Sequence, residues 1–220
     1  HDLRTPLTSI YGSSSTLISK YDALPKEQQL KLLGEIQEDS EWLIRMVENL
    51  LSVTRIDDAK VEVVKTPTVL DELVDSVLMK FSKKHPNQKV ITRIPDDFVD
   101  IPMDSILIEQ VLLNLLENAV FHAKGMTELI LSVSLVGDKA VFEVSDNGCG
   151  IPEDALQKIF TGSYEKSAAP VDGTRSNMGI GLSVCAAIIK AHGGEITAEN
   201  RMGGGAVFRF SLERECDDEQ

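Results

Sequence analysis

The chemistry this chain could perform is densest in the run His1-Asp2-Leu3-Arg4-Thr5-Pro6-Leu7. That run heads an apolar repeat of Leu3, Leu7, Ile10, Ser14, Leu17 and Tyr21, whose alternating four- and three-residue steps mark the seam of a coiled-coil-like helix. On such a helix His1 and Thr5 share a face, and Asp2 is turned roughly 100° away. An imidazole becomes a competent nucleophile when a carboxylate holds the proton on one ring nitrogen and leaves the other free. Pro6 has no N–H for the carbonyl of Asp2, so the backbone should bend beside the histidine. Without these neighbours His1 would read as an ordinary surface residue.

Three later stretches could hold a nucleotide. Asn114-Leu115-Leu116-Glu117-Asn118-Ala119 falls on a helix that Asp104 can cap, and its two asparagines point the same way, one turn apart. Magnesium takes hard oxygen ligands and often binds through one protein oxygen plus phosphates, a role an amide carbonyl can fill. Asparagine is a mediocre helix former, so two on one face need a reason; capping or polar packing is the alternative to metal binding. Glu117 lies off that face and should be solvent-exposed. Asp146-Asn147-Gly148-Cys149-Gly150-Ile151-Pro152 leaves a strand as a loop. Its carboxylate can accept from an exocyclic amine, and its glycines let the backbone turn with positive φ and approach a flat ring; Asp-Asn-Gly alone is equally a turn. Asn177-Met178-Gly179-Ile180-Gly181-Leu182 precedes a helix, whose first N–H groups suit phosphates. It is not a dinucleotide fingerprint, because Val184 stands where the third small residue belongs, and no Walker A sequence occurs. Gly203-Gly204-Gly205 reads as a hairpin turn.

Two kinds of scaffold must position these residues. Leu33, Ile36, Leu43, Val47 and Leu50 keep the apolar repeat from Lys26 to about Ile56. Two long helices joined at Tyr21–Pro25, with Pro25 opening the second, therefore form a hairpin. Its stripe can be buried in a homodimeric four-helix bundle or inside a monomer. Arg55–Lys60 breaks the repeat and reads as a hinge. Beyond it the pattern predicts a strand over 61–65 stopped by Pro67, a helix over 69–84, a strand over 89–95 and a helix from Asp104 to about Ala123. Strands over 129–136 and 140–145 flank Gly137-Asp138-Lys139, a hairpin signal. A polar region, 152–177, leads to a helix over 181–192 and two more strands, 195–199 and 206–212. The fold class expected is α+β: an N-terminal helical hairpin at 1–60, an α/β sandwich with a mostly antiparallel sheet at 61–213, and an acidic tail at 214–220.

Composition bounds the partners. The 220 residues are 42% hydrophobic and 26% charged, ordinary for a globular chain with a real core. A formal net charge of -13 argues against nucleic acid or an anionic membrane surface. Cys149, Cys185 and Cys216 have no metal-ligand spacing and suit a reducing compartment, the first two as small buried residues. No apolar run reaches the length of a membrane span. The chain has no starting Met or signal peptide and reads as a piece of something longer.

The opening seven residues resemble the phosphoacceptor box of sensor histidine kinases, His-Glu/Asp-x-x-Thr/Asn-Pro-Leu. Asn114–Ala119, Asp146–Pro152, Asn177–Leu182 and Gly203–Gly205, in that order, are similar to the N, G1, G2 and G3 boxes of the GHKL ATP-binding fold. The resemblance runs to about Leu212. It implies an ATP-dependent protein-histidine kinase using ATP and Mg²⁺. Asn118 would be the Mg²⁺ ligand, Asn114 would lie beside the phosphates, and Asp146 would read the adenine amine on the loop carrying Gly148 and Gly150. Gly179, Gly181 and Leu182 would flank a mobile lid. By the same resemblance His1 is phosphorylated, Asp2 holds its tautomer and Thr5 positions water or the partner during dephosphorylation. The phosphoryl group would pass to an aspartate of a response regulator receiver domain, from a homodimer built through residues 1–60. His1 to Ile10 together with His192-Gly193-Gly194-Glu195 and Gly204-Gly205-Ala206-Val207 further resembles the potassium-responsive Kdp-type kinases. That likeness implies a cytoplasmic fragment of an inner or plasma membrane sensor. Two positions depart from the pattern. Phe121 stands where many relatives carry a lysine for the terminal phosphate, leaving that charge to His122, Lys166, Arg175 or Mg²⁺. Phe160 is followed by Tyr164, one residue late for the usual aromatic pair of the lid. The alternatives are a GHKL ATPase driving clamp closure, which has a glutamate base where this chain has Asn114, and a nucleotide-sensing scaffold without catalysis, which Phe121 favours.

Overall fold

The computed structural model describes residues 3–57, 63–156, 158–161 and 178–214. The chain divides into two compact units, residues 1–51 and 52–220.

In the first unit the three-four repeat produces α1 (Arg4–Lys20) and α2 (Lys26–Asp57), joined by a 3-10 turn at Tyr21–Ala23. Gln29 closes the turn by donating its side-chain amide to the carbonyls of Tyr21 (2.7 Å) and Leu24 (3.1 Å). Pro6 lies in the first turn of α1, where no intrahelical bond needs its N–H. The bend expected beside His1 falls at residues outside the described part of the chain. Among the described residues of this unit Leu17 is the large apolar side chain that is buried, whereas Leu7, Tyr11, Ile18, Leu30, Leu33, Ile44 and Val47 are exposed. A hairpin whose apolar stripe is this uncovered has little burial of its own to offset ordering two helices.

The second unit is a sandwich. Its elements are β1 (Thr66–Val69), α3 (Leu70–Lys84), β2 (Ile91–Arg93), β3 (Asp100–Met103), α4 (Ser105–His122), β4 (Leu129–Val136), β5 (Lys139–Asp146), α5 (Glu153–Leu156), α6 (Met178–Ala191), β6 (Glu195–Asn200) and β7 (Ala206–Glu213). The main sheet has the order β2-β4-β5-β7-β6, parallel between β2 and β4 and antiparallel elsewhere. Helix α4 is buried nearly all round, through Leu107, Ile108, Val111, Leu112, Leu115, Leu116 and Ala119, because it packs against α3, α6 and the sheet. Phe142 and Phe210, cross-strand partners on β5 and β7, stack at 4.8 Å on the helix side. On the other face Arg209 pairs with Glu143 (2.8 Å) and Glu199 (3.3 Å). Asp104 caps α4 as expected, accepting from the N–H groups of Ile106 and Leu107 (3.2 Å each).

Several elements differ from their sequence-based bounds. The strand expected over 61–65 lies at Thr66–Val69, with Pro67 inside it and opposite Pro102 of β3. A proline pair can sit in a two-stranded ribbon only at a position that exchanges no ladder bonds, so the mutual pairing accommodates what looked like a stop. Strand β3, which the pattern did not reveal, buries Ile101 and Met103 completely. Among the described residues no helix is long and apolar enough to cross a membrane.

The end of α6 is fastened to the start of α4 by one buried histidine. His192 accepts from the N–H of Asp104 at Nε2 (3.1 Å), and its Nδ1 lies 2.8 Å from the carbonyl of Ile188. That pattern requires the neutral tautomer protonated on Nδ1. Burial lowers the His192 pKa from its usual 6.5, with the Ile188 carbonyl and Asp104 partly opposing and Lys65 adding to the shift. The folded state therefore binds fewer protons here than the unfolded chain, and stability falls as pH drops below about 6.5. Urea unfolding between pH 7.5 and 5.5 should show this loss. His192→Leu should cost about 1–3 kcal/mol at pH 7.5, by leaving the Asp104 N–H unpaired, and should flatten the pH slope.

Candidate functional site

The second unit gathers its candidate site residues at the end of β5. Asp146 terminates that strand at 3% exposure, and its Oδ1 accepts from the N–H of Gly148 (2.8 Å), turning the chain into the loop. The carboxylate keeps a second oxygen for a ligand's donor. The two loop glycines act differently from the expectation. Gly150 has φ +74, a left-handed conformation, whereas Gly148 does not have positive φ. Gly148 is required by contact instead: a Cβ there would lie 2.7 Å from the Cβ of Ala123. Ala123 is the C-cap of α4, so this close approach seats the loop against the helix end that carries Asn118 and His122. The thiol of Cys149 donates to the carbonyl of His122 (3.4 Å) across the same contact. Cys149 is exposed, not buried as expected.

Along α4, Asn118 is half-buried. Asn114 is half-buried as well, and its side chain lies near enough to the Cys185 thiol on α6 to lower that group's pKa. Burial pushes that thiol up to about 12, only partly offset by Asn114, so Cys185 stays protonated and inert. Glu117 is not solvent-exposed as expected. Its side chain is 14% exposed and pairs with Lys84 of α3 (2.7 Å). Phe121 packs edge-on against His85 (5.9 Å), whose ring in turn lies tilted against Phe81 of α3 (5.0 Å). The residue in place of the family's lysine thus belongs to an α3–α4 aromatic contact.

Helix α6 begins at Met178, three residues earlier than expected, so Gly179 and Gly181 lie in its first turn and Leu182 is buried beneath them. Four backbone N–H groups at such a start have no intrahelical partner, which suits phosphate oxygens. Phe160 packs edge-on against Phe208 of β7 (6.4 Å). Tyr164, Lys166, Arg175 and Asn177 lie outside the described residues, as do His1 and Asp2. Thr5 is exposed in the first turn of α1. No group of three or more His, Cys, Asp or Glu side chains able to hold a metal occurs among the described residues.

Three residues that sequence reasoning missed hold the loop. Asn147 accepts from the N–H groups of Thr127 and Glu128 (2.9 Å each) and donates to the Thr127 hydroxyl (2.8 Å). Asn200 at the end of β6 makes a reciprocal pair with the main chain of Ile151, and Arg201 donates to the carbonyl of Asp146 (3.0 Å). The signal present in the sequence was the run Gly203-Gly204-Gly205, all with positive φ, which shapes the turn joining β6 to β7.

Comparison with known proteins agrees with this arrangement. Residues 1–59 match the His Kinase A (phospho-acceptor) domain, and residues 103–215 match the family described as histidine kinase-, DNA gyrase B-, and HSP90-like ATPase. The chain is 38% identical over 216 residues to the sensor protein KdpD of Clostridium acetobutylicum, covering 98% of this chain and 24% of that protein. It is 36% identical over 217 residues to KdpD of Escherichia coli strain K12, covering 96% and 23%. The chain therefore spans about a quarter of these relatives. Among solved structures, the Acinetobacter baumannii histidine kinase AdeS superposes with a TM-score of 0.71 at 25% identity, covering 98% of both chains. Histidine kinase ThkA in complex with response regulator protein TrrA gives 0.74 at 26% identity, covering 98% of this chain and 59% of that one. With a phospho-acceptor domain followed by an ATPase domain of the histidine kinase type, the chain belongs to the sensor histidine kinase family.

Proposed function

We propose that this chain is the transmitter of a Kdp-type sensor kinase, which binds MgATP in the second unit, phosphorylates His1 and passes the phosphoryl group to an aspartate of a response regulator receiver domain. The observation that carries the proposal is the buried Asp146 carboxylate, on a loop pressed against the end of the Asn118 helix, in a chain whose first residues match a phospho-acceptor domain. In this reading Asp146 accepts from the adenine amine, while Gly148 and Gly150 let the loop close on the ring. Asn114 stands beside the phosphates, and the first turn of α6, with Gly179, Gly181 and Leu182, meets them through its N–H groups. The Asn118 carbonyl would hold Mg²⁺, which neutralises phosphate charge when bound; the half-buried amide of Asn118 offers a hard oxygen of the kind magnesium takes. His122, Lys166 or Arg175 would share the remaining charge.

Asp2 would hold the proton on one imidazole nitrogen while the other attacks the γ-phosphorus in line. An N–P bond forms, the bond from phosphorus to the bridging oxygen breaks, and ADP leaves. Residues 1–60 would pair with a second copy, as their uncovered apolar side chains favour. Residues 61–213 would be the ATP-binding domain and 214–220 a tail. The whole protein would be a membrane sensor with this part in the cytoplasm.

Incubating the whole protein with γ-labelled MgATP tests the proposal. An acid-labile, base-stable label is expected, whereas an acid-stable label would refute it. Thr5 would position water or the partner for dephosphorylation. Thr5→Ala should leave labelling intact and slow phosphate release from the phosphorylated receiver by about tenfold or more, and equal release rates would remove that role.

A further inference from the structure

The loop between Asp146 and Ile151 is held at both of its ends by two consecutive residues, Asn200 at the end of β6 and Arg201 just beyond it. The Asn200 side chain accepts from the N–H of Ile151 and donates to its carbonyl, both at 2.7 Å. Arg201 donates to the main-chain carbonyl of Asp146 at 3.0 Å and lies 3.6 Å from Glu128. Behind them the glycine turn touches the same loop: a Cβ on Gly205 would fall 2.0 Å from the Asp146 carbonyl, and one on Gly204 would lie 3.5 Å from that of Gly148. Strand register makes this contact definite, since Asn200 pairs with Ala206, and Val207 pairs with Ser145, the residue before Asp146. From the opposite side Gly148 abuts Ala123. The loop is clamped between the end of α4 and the β6–β7 turn.

We infer that Arg201 and Asn200 are positioning residues of the purine pocket, aiming the Asp146 carboxylate through the main chain at the two ends of its loop. The inference rests on the reading of Asp146 as the adenine contact. Hydrogen bonds weaken steeply with misalignment, so a carboxylate on a released loop loses the adenine bond while the domain core stays intact. The charged guanidinium on the Asp146 carbonyl is the stronger of the two holds.

ADP binding by calorimetry, in a double-mutant cycle on the full chain, separates positioning from general support. Arg201→Met should weaken ADP binding about tenfold. In the Asp146→Asn background the same change should matter less than about twofold, because the bond it serves is already gone. Arg201→Lys should recover most of the affinity, and Asn200→Ser should weaken binding in the same background-dependent way. Equal losses in both backgrounds, or no loss from either Arg201→Met or Asn200→Ser, would overturn the clamp while leaving the pocket standing. If Asp146→Asn itself leaves ADP binding unchanged, the pocket reading falls and takes the clamp with it. Thermal melts of each variant identify any that fail to fold; the remaining variant then decides the cycle.

Discussion

Replacing His1 by glutamine is expected to abolish the acid-labile label while leaving nucleotide affinity unchanged. A glutamine amide nitrogen has its lone pair delocalised into the carbonyl and cannot attack phosphorus, so the residual rate should be background. The structure narrows what could substitute. His192 is 1% exposed with both ring nitrogens engaged, by Asp104 and Ile188, and is closed to a phosphoryl group. His85 and His122 are half-buried in the second unit. A label surviving His1→Gln would therefore point to one of those two and remove His1 as the acceptor. Unchanged ADP binding in the same variant shows that the loss is chemical, not a failure of the pocket.

The second large effect is expected at Asp146. Its carboxylate is nearly inaccessible, and one oxygen accepts from the N–H of Gly148. Asp146→Ala should lose about 1.5–3 kcal/mol of ATP binding, roughly 10- to 150-fold in Kd, for one charge-assisted hydrogen bond. Alanine also removes the acceptor that turns the loop. Asp146→Asn keeps the volume and can still accept from Gly148, but it presents an amide donor toward the adenine amine. It should lose most of the same affinity with a near-native melting temperature. Calorimetry showing full affinity in the asparagine variant would displace Asp146 from the adenine.

These expectations combine readings of unequal origin. Several readings that depend only on neighbours in sequence agree with the structure. Asp104 caps α4, Gly137 with φ +60 turns the β4–β5 hairpin, and the three-four apolar repeat runs as two helices. Each depends on a few residues whose propensities and periodicity are visible in one dimension. Where a tertiary partner intervenes, the pattern misled. Glu117 looked solvent-exposed until α3 brought Lys84 to it, and Pro67 looked like a strand stop until Pro102 came opposite.

Most of the strands and helices, the cap, the hairpin turns and the chemistry-bearing residues of the loop are thus legible along the chain, because short-range backbone preference and hydrophobic period set them. The fastening of that loop is not. Arg201 is 55 residues from Asp146, Asn200 is 49 from Ile151, and nothing in their local patterns marks them as partners. They meet because β7 lies between β5 and β6 in the sheet, an adjacency that burial of the whole sheet face selects. Side-chain type announces what a carboxylate can bind, but the direction in which it is aimed belongs to contacts that exist only after the core has closed.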